Sequence, residues 1–231
     1  MNKKRLTSLF LSLCMLLGMF TAVAAESGAA PELVDGAYLI DSAEDMFWFA
    51  SEVNGGNRTA NAVLEDDIDL GGEQWTPIGA GYDYKNLGID GSSAYCGTFD
   101  GNGKTISNLT IDRPGEENVG LFRVIRGGTI KNLTLKDAAV TGGSLVGAVV
   151  GWAQVSLSKD SMSGNVAGLI GNVHVTGSVA GKTETGGLIG RNDGKTDPET
   201  SFSVKNAVDR CSFEGTLTGR TITGGLAGRN E

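Results

Sequence analysis

Short segments of the chain alternate apolar and polar residues, which is the pattern of strands with one buried face. Two such segments, TISNLTI at 105–111 and TIKNLTL at 129–135, resemble each other at an offset of 24 residues. We expect one side of these strands to face a shared core. The inward positions are Leu109, Ile111, Leu133, Leu135, Val173, Val175, Cys211 and Phe213.

A longer repeat follows towards the end of the chain. Segments 172–192 and 210–230 align without a gap at an offset of 38, and ten of the twenty-one positions are identical. Both end in the block TGGLxGRN. Weaker copies, VAGLIGN at 166–172 and VGAVVGWA at 146–153, begin 19 and 39 residues before the first of these blocks, so the pattern predicts a basic unit of 19 to 20 residues.

A unit of this size cannot bury its own apolar face, so neighbouring units must stack and share a core. The sequence therefore predicts an all-β fold, a right-handed parallel β-helix (β-solenoid) of about eight coils and about 40 Å in length at one strand spacing per coil. Leucine-rich repeats are excluded because no unit shows LxxLxLxxN. A sandwich of hairpins is the alternative, but it does not account for an ungapped repeat of 38 residues.

The start of the predicted domain has a different pattern. Residues 38–40 predict a short strand, and Ser42 with Asp45 forms a start signal for a helix that runs to about Val53. Its apolar positions have helical spacing. We expect this helix to cover the first coil, because an uncovered end exposes apolar side chains and unpaired strand edges.

The first residues predict export. A basic start at 2–5, an uncharged apolar stretch at 6–23 and the small-residue pattern Ala22-Val23-Ala24 are typical of a signal peptide. A membrane anchor is the rival interpretation, since about 18 apolar residues is the lower limit for a span. The predicted organisation is a signal peptide at 1–25, a strand and capping helix at 26–60, and the β-solenoid at 61–231.

Charge and composition narrow the function. Without the three basic residues of the signal, 16 Lys and Arg face 27 Asp and Glu, a net charge of −11. Such a surface repels phosphate backbones and anionic lipids, so we expect neither nucleic-acid binding nor membrane insertion after signal cleavage. The 36 glycines and 15 aromatic residues favour repeats with tight turns over a globular enzyme.

The glycine blocks carry a resemblance to a known repeat. TGGLIGRN, TGGLAGRN, VAGLIGN and VGAVVGWA resemble the GLUG motif of bacterial surface proteins and of the non-catalytic part of IgA-specific metallopeptidases. The text upstream, from DSAEDMFWFASEVNGG to NVGLFRVI, is similar to the opening of right-handed β-helix domains in bacterial adhesin-like proteins. The resemblance implies architecture more than activity. The copy at 146–153 departs from it at Ala148, which replaces a glycine, and at Ala153, which replaces Asn.

Catalytic signals are weak, and we expect no catalytic residue, no cofactor and no metal site. The chain has one histidine, His174, which lies between two inward valines and so points outward, with Ser212 at its place in the next repeat. The HExxH pattern of metallopeptidases is absent, and GNGK at 101–104 lacks the spacing of a phosphate loop.

Other β-helix proteins are polysaccharide lyases or glycosidases, which use clustered acids and calcium. The densest acidic run is Glu65, Asp66, Asp67 and Asp69, and DGNG at 100–103 offers further oxygens. We interpret the run as a solvated face and DGNG as a tight turn. The alternative is that the two segments meet on neighbouring coils. Three Asn-x-Thr sequences, at Asn57, Asn108 and Asn132, are expected to serve corners or ladders between coils.

Six aromatic side chains either cover the flank of the first coils or, as the alternative, form a sugar-binding surface. They are Trp48, Trp75, Tyr82, Tyr84, Tyr95 and Trp152, some of them in the irregular insert at 71–93.

The predicted function is a non-catalytic, secreted or cell-surface structural and adhesive module of bacterial type, with an unknown glycan or protein as its surface ligand. The alternatives are a polysaccharide lyase or glycosidase, or the accessory region of a secreted peptidase. The chain stops directly after a repeat, so we expect either end-to-end association or a longer natural chain. Cys96 and Cys211 should be free thiols, because about six coils would separate them by far more than a disulfide allows.

Overall fold

The computed structural model describes residues 29–79, 94–155, 167–196 and 203–231. Within these ranges the protein is mostly β and contains one helix, so the all-β class is confirmed. The predicted signal peptide lies outside the described residues.

Three sheets contain nearly all of the described strands, and every sheet draws its members from widely separated parts of the chain. The first sheet consists of β1 (Leu33–Val34), β2 (Ala37–Ile40), β3 (Asn61–Leu64), β4 (Ile68–Asp69), β5 (Thr98–Asp100), β6 (Thr105–Ser107), β7 (Thr110–Asp112), β10 (Thr129–Thr141), β13 (Leu169–Ala180), β18 (Ala207–Asp209) and β19 (Ser212–Thr218). The second consists of β8 (Glu117–Val119), β11 (Ser144–Val146), β14 (Thr183–Gly186) and β20 (Thr221–Gly224). The third consists of β9 (Phe122–Arg126), β12 (Val150–Gln154), β15 (Ile189–Asn192) and β21 (Ala227–Asn230). A separate antiparallel pair is formed by β16 (Lys195–Thr196) and β17 (Ser203–Val204).

Strand pairing within the three sheets is parallel, except between β1 and β2. The chain visits the first, second and third sheets in turn and then returns to the first. We call one such passage a layer, so that β13, β14 and β15 form one layer and β18 to β21 belong to the last. Paired residues in the later layers are 38 to 40 positions apart, as in Thr129 with Leu169 and Thr183 with Thr221.

The predicted unit of 19 to 20 residues is wrong, because the stacked unit is the whole layer. The blocks at 146–153, 185–192 and 223–230 do stack in register on the second and third sheets. In contrast, the block at 166–172 continues into β13 of the first sheet, so its similar sequence lies on a different side of the layer. The offset of 24 between the two segments TISNLTI and TIKNLTL is not a register either, since Thr105 pairs with Thr134 and Thr129 with Thr98.

The predicted number of about eight coils is wrong for the same reason. Among the described residues, six parallel strands follow one another along the first sheet from β2 to β18. At about 4.8 Å per strand they extend over about 24 Å, not 40 Å.

Corners between strands stack as columns of residues with left-handed backbone. Asn132, Asn172 and Arg210 occupy one column with φ of 53°, 53° and 49°. The Asn172 side chain donates to Asn132 Oδ1 at 3.1 Å, and Asn132 donates in turn to Asp100 Oδ1 at 3.0 Å. Asn tolerates this conformation better than most residues, so the expected role of Asn132 in corners and ladders is confirmed.

The helix α1 (Ala43–Asn54) covers the first layer as predicted. The Ser42 side chain accepts a hydrogen bond from Asp45 N at 3.2 Å, and the Asp45 carboxylate accepts from Asp41 N at 3.3 Å. These bonds satisfy amides at the helix start. The buried face of the helix consists of Met46, Phe49, Ala50 and Val53.

The core is continuous through the layers and thins at the last one. The six predicted inward residues from Leu109 to Val175 are all buried, whereas Cys211 and Phe213 are half-buried. In the last layer Val208, Ile222 and Leu226 expose 37%, 50% and 39% of their surface.

Candidate functional site

Glycines bring the second and third sheets into direct backbone contact. A Cβ at Gly190 would overlap the backbone of Leu145 and Val146, and a Cβ at Gly228 would overlap the backbone of Glu184. Gly151 has the same relation to Asn118. The last glycine of each repeat block therefore permits one strand to cross closely over a strand of the neighbouring layer.

The two departures from the block lie at fully buried positions. Gly187 lies against the ring of Phe213, where a Cβ would collide with the side chain. Ala148 occupies the equivalent place one layer earlier and is fully buried, and the register partner of Phe213 in the preceding layer is the smaller Val175. Ala153 pairs with Ile125 in a fully buried position, whereas its equivalent Asn192 donates to Asn230 Oδ1 at 2.9 Å and accepts from Asn206.

A groove of about 270 Å³ lies on the outer side of this contact. We call it the Trp152 groove. Its walls come from three successive layers of the second sheet and from two strands of the third. The lining residues are Glu117, Asn118, Ser144, Leu145, Trp152, Thr183, Glu184 and Arg191.

Arg191 organises the charges of the groove. Its guanidinium carbon lies 5.5 Å from the centre of the Trp152 ring, which is cation–π distance. Its Nε donates to Asp193 at 2.7 Å, and Asp193 also accepts from Trp152 Nε1 at 2.8 Å. Burial lowers the pKa of Arg191, but the hydrogen bond to Asp193 and the nearby carboxylates outweigh burial and raise it. The ring, the guanidinium and the carboxylate therefore hold one another in place.

Two of the residues that line the groove have a buried side-chain oxygen without a hydrogen-bond partner. Among the described residues, four buried side-chain polar atoms accept or donate no hydrogen bond, and Asn118 Oδ1 and Glu184 Oε2 are two of them. Asn118 is only 5% exposed. Glu184 Oε1 forms an ion pair with Arg229 at 3.3 Å, and Glu184 Oε2 forms a longer one with Arg191 at 3.9 Å. A buried acceptor without a hydrogen bond costs about 1–3 kcal/mol, and neither of these two oxygens is accessible to solvent.

The predicted acidic candidates serve the corners of the first sheet. Asp67 accepts from Thr105 N at 2.7 Å, and Asp69 accepts from Asn108 Nδ2 at 2.7 Å and from Gly71 N at 2.8 Å. The bond from Asn108, followed by that from Gly71, lowers the pKa of Asp69. These carboxylates link one layer to the next.

Asp100 has the same kind of role. Burial raises its pKa, but bonds from Asn102 N, Asn132 Nδ2 and Lys131 Nζ outweigh burial and lower it. Across the described ranges no three His, Cys, Asp or Glu side chains come close enough together to hold a metal ion. Glu65 and Asp66 are exposed.

His174 lies on the exposed face of the first sheet, as the alternation predicts. It pairs in register with Ser212, and its Nδ1 is 2.8 Å from Ser212 Oγ. Its Nε2 is 3.4 Å from Asn172 Oδ1. The contact has the length of a Ser–His hydrogen bond, but it joins neighbouring strands on an open sheet face, outside the Trp152 groove.

Most of the aromatic candidates cover and fill the first layers. Trp75 and Tyr95 are fully buried, with Trp75 Nε1 donating to Leu121 O at 3.0 Å and Tyr95 Oη donating to Ala60 O at 2.9 Å. Burial raises the pKa of Tyr95 far above its usual range. Trp48 packs edge-on against Tyr38 at 4.9 Å. The sugar-binding alternative is therefore wrong for Trp75 and Tyr95, which have no accessible face.

The remaining aromatic candidates differ. Tyr82 and Tyr84 lie outside the described residues, and Trp152 lines the groove. Sequence reasoning identified Trp152 but missed Asn118, Glu184 and Arg191. The recurrence of an outward Arg at 191 and 229 in the repeat blocks was the available signal.

Both described cysteines are free, as predicted, although the reason needs correction. At least three layer spacings, about 14 Å and not six coils, separate Cys96 from Cys211, which is still too far for a disulfide. Burial raises the pKa of the Cys211 thiol, although backbone hydrogen bonds oppose the shift.

Similar stretches occur in several long proteins. The chain is 35% identical over 154 residues to halomucin of Haloquadratum walsbyi, a match covering 66% of this chain and 2% of the relative. It is 32% identical over 171 residues to an immunoglobulin A1 protease of Streptococcus sanguinis, covering 69% and 8%. A putative Gly-rich membrane protein of Evansella cellulosilytica is 30% identical over 163 residues, covering 56% and 17%.

The chain thus spans less than a fifth of the length of these relatives. No family model matches it, and no solved structure does. Within the described ranges, no helix is both long and apolar enough to cross a membrane.

Proposed function

We propose that this chain is a secreted or surface-exposed structural and adhesive module without catalytic activity, built as a right-handed parallel β-helix from GLUG-like repeats. The single observation that carries the proposal is the use of polar residues at the corners. Asp67, Asp69, Asp100 and Asn132 bind the backbone or side chains of adjacent layers, so the groups that chemistry would need are used to stack the chain.

The handedness follows from a general rule. Each return of the chain to a parallel neighbour in the first sheet is a crossover connection, and such connections are right-handed in about 98% of cases. The parallel register of β10, β13 and β19, with offsets of 38 to 40 residues, supports a coil in which each layer is one turn. A crystal or cryo-electron microscopy structure tests this directly, and left-handed turns or separate sheets would contradict it.

Export is supported by the signal-like start and by the similarity to halomucin and to immunoglobulin A1 proteases. Expression in a bacterium with an intact export pathway should release a protein that begins near Glu26. Mass spectrometry of the medium and of the membrane fraction separates cleavage from retention as an anchor. The bacterial source stays a prediction.

The absence of catalysis is tested with substrates of the enzyme class that shares this proposed architecture. Purified protein should release no product from polygalacturonate or other acidic glycans, with or without calcium. Product formation that Asp67→Ala or Asp100→Ala abolishes would establish a lyase or glycosidase instead.

A second candidate is an accessory region of a secreted peptidase. It is favoured by matches to immunoglobulin A1 proteases of two streptococci, each covering at least half of this chain and less than a tenth of the relative. Affinity for immunoglobulin A1 in the absence of cleavage, measured by surface plasmon resonance, would favour this candidate over a general adhesive module.

In either case we propose a glycan or protein of the surface as the ligand. The net charge of −11 for the chain after residue 25 argues against nucleic acid and anionic membranes. A filter-binding measurement with DNA and RNA at low salt should show no retention.

A further inference from the structure

We propose that two copies of this chain associate end to end through their last layers, related by a twofold axis that pairs β19 of one copy antiparallel with β19 of the other. The inference goes beyond the adhesive function and does not depend on it. The observation behind it is the open end of the stack, where four strand edges and several apolar side chains lie uncovered among the described residues.

The strands of the last layer are paired on one side only. Within the described part of the chain, β18 and β19 pair only with β13, β20 only with β14, and β21 only with β15. Proteins commonly protect such edges with lysine or proline, and these four strands contain neither. The edges therefore offer backbone donors and acceptors to another strand.

Apolar surface is concentrated at the same end. Among the described residues five large apolar side chains are exposed, and three of them belong to the last layer: Val208, Ile222 and Leu226. Phe213 and Leu217 are half-buried, although their register partners in β13 are buried. Another layer placed on this face would bury these side chains as the inner layers bury theirs.

Charge favours a second copy as that layer. Residues 203–231 contain four Lys and Arg and three Asp and Glu, whereas residues 26–202 contain 12 Lys and Arg and 24 Asp and Glu. The last layer is therefore nearly neutral on a strongly acidic chain. Two equally acidic copies meet the least repulsion when they approach by this end. A strongly basic partner would instead be drawn to the acidic remainder of the surface.

The first end of the stack decides how the copies are arranged. There α1 covers the first layer, and the first sheet ends in the two-residue strand β1, which pairs antiparallel with β2. The open end of one copy therefore finds no comparable edge at the covered end of another. A contact between two open ends uses the same surface on both copies, so it closes after two copies and has twofold symmetry.

The alternation of side chains along β19 suits such a pairing. With the twofold axis at Gly215, the middle residue of the strand, all seven of its residues are paired. Inward Phe213 then lies opposite inward Leu217 of the second copy, and outward Glu214 lies opposite outward Thr216. Inward side chains meet only inward ones, and no like charges of this strand face each other.

The size of the contact sets the expected affinity. β18 to β21 contain 18 residues, which give about 60 Å of strand edge at about 3.3 Å per residue. With a sheet thickness of about 10 Å, the contact buries about 600 Å² per copy and about 1,200 Å² in total. This area is at the lower limit of specific interfaces, so we expect a reversible dimer with a dissociation constant of about 1–100 µM.

The test is sedimentation velocity of the purified protein over a concentration range that spans this dissociation constant. We expect a reversible change from monomer to dimer with no larger species. A protein that stays monomeric throughout the range would contradict the proposal. Continued growth into larger assemblies would contradict the twofold axis, because a twofold contact closes after two copies.

Variants then locate the contact. Ile222→Lys and Leu226→Lys each place a charge on the open end and should weaken the dimer by about tenfold or more. Leu33→Lys is the matched control, since Leu33 is 58% exposed and Ile222 50%, but Leu33 lies in β1 at the covered end. It should leave the dissociation constant unchanged. Circular dichroism and thermal melting identify any variant that has lost its fold. Folded last-layer variants that dimerise like wild type would overturn the proposal.

A mixture of two singly substituted proteins, Glu214→Cys and Thr216→Cys, tests the pairing of β19 itself. Opposite residues of antiparallel strands have Cα atoms about 5 Å apart, which suits a disulfide. After mild oxidation, peptide mapping by mass spectrometry should find a bridge between position 214 of one protein and position 216 of the other. A mixture of Glu214→Cys with Leu33→Cys should give no bridge between those two positions. Dimers without the first bridge, or a bridge in the second mixture, would refute the antiparallel contact.

Discussion

The two ends of the stacked sheets are built differently. At the first end, α1 places Phe49 in a cluster of rings with Phe99 at 5.9 Å, Tyr95 at 6.3 Å and Tyr38 at 6.4 Å, and Phe49 is fully buried. At the last layer nothing among the described residues covers the strands, and Phe213 is half-buried. The comparison teaches that the stabilisation of a layer depends on what lies on both of its sides.

The same substitution at the two ends should therefore have different costs. We expect Phe49→Ala to lower the free energy of unfolding by about 3–5 kcal/mol, because it leaves a cavity in a closed cluster. Phe213→Ala should cost about 1–2 kcal/mol, since its ring keeps contact with solvent. Urea unfolding followed by circular dichroism measures both, and equal costs would remove the distinction between the ends.

Glycines at the close crossing provide the next comparison. Gly190→Ala should destabilise the protein by about 1–3 kcal/mol or more, because the methyl group meets the backbone of Leu145 and Val146. Gly225→Ala, in the uncovered last layer, has no atom within 4 Å of the added carbon and should change stability by less than about 0.5 kcal/mol. Thermal melts of the two variants suffice. A neutral Gly190→Ala would show that the sheets do not cross as closely as described.

Two substitutions in the column of left-handed corners should change the free energy of unfolding by smaller amounts and in opposite directions. Asn172→Ala should cost about 1–2 kcal/mol, because alanine is strained at φ 53° and the bond to Asn132 is lost. Arg210→Asn, at φ 49° in the last layer, should stabilise by up to about 1 kcal/mol for the same reason. Equilibrium unfolding of both variants against wild type decides the sign, and a destabilised Arg210→Asn would speak against the column.

The smallest expected effect is a pH dependence. Burial raises the pKa of Glu116, but hydrogen bonds from Arg113 and Arg123 outweigh burial and hold it below its ordinary value of 4.5. The stabilisation is therefore complete above pH 4.5 and is lost as the pH falls through the lower folded pKa. Melting temperature measured from pH 6 to pH 3 should fall less steeply in Glu116→Gln than in wild type, and identical curves would exclude this contribution.

Local patterns predicted much of the fold. Alternation identified the buried side of β7, β10 and β13, and the cap at Ser42 identified the start of α1 within one residue. Periodicity predicted the wrong repeat length, because two sides of one layer have similar sequences. Leu169 and Leu188 both lie in glycine-rich aliphatic segments, yet they belong to different sides of the layer. The reason is that each layer contributes strands to three sheets before the chain returns to the first.

The Trp152 groove was beyond reach of the sequence for a different reason. Its residues come from five strands whose register is set by stacking, and Asn118 and Glu184 are 66 positions apart along the chain. Single-residue signals existed for Trp152 and for the repeated arginines. The missing hydrogen bonds at Asn118 Oδ1 and Glu184 Oε2 are a property of the packed layers and have no sequence signature.

The central claim is the parallel stacking of layers with an offset of 38 to 40 residues, and engineered disulfides test it most directly. Ala139 and Ser178 are exposed register partners on adjacent strands, whereas Ala139 and Thr216 are two strands apart. Adjacent strands are about 4.8 Å apart, which suits a disulfide, and two spacings do not. After mild oxidation, mass spectrometry should find a bridge in Ala139→Cys/Ser178→Cys and none in Ala139→Cys/Thr216→Cys. Free thiols in the first double variant, or a bridge in the second, would contradict the account.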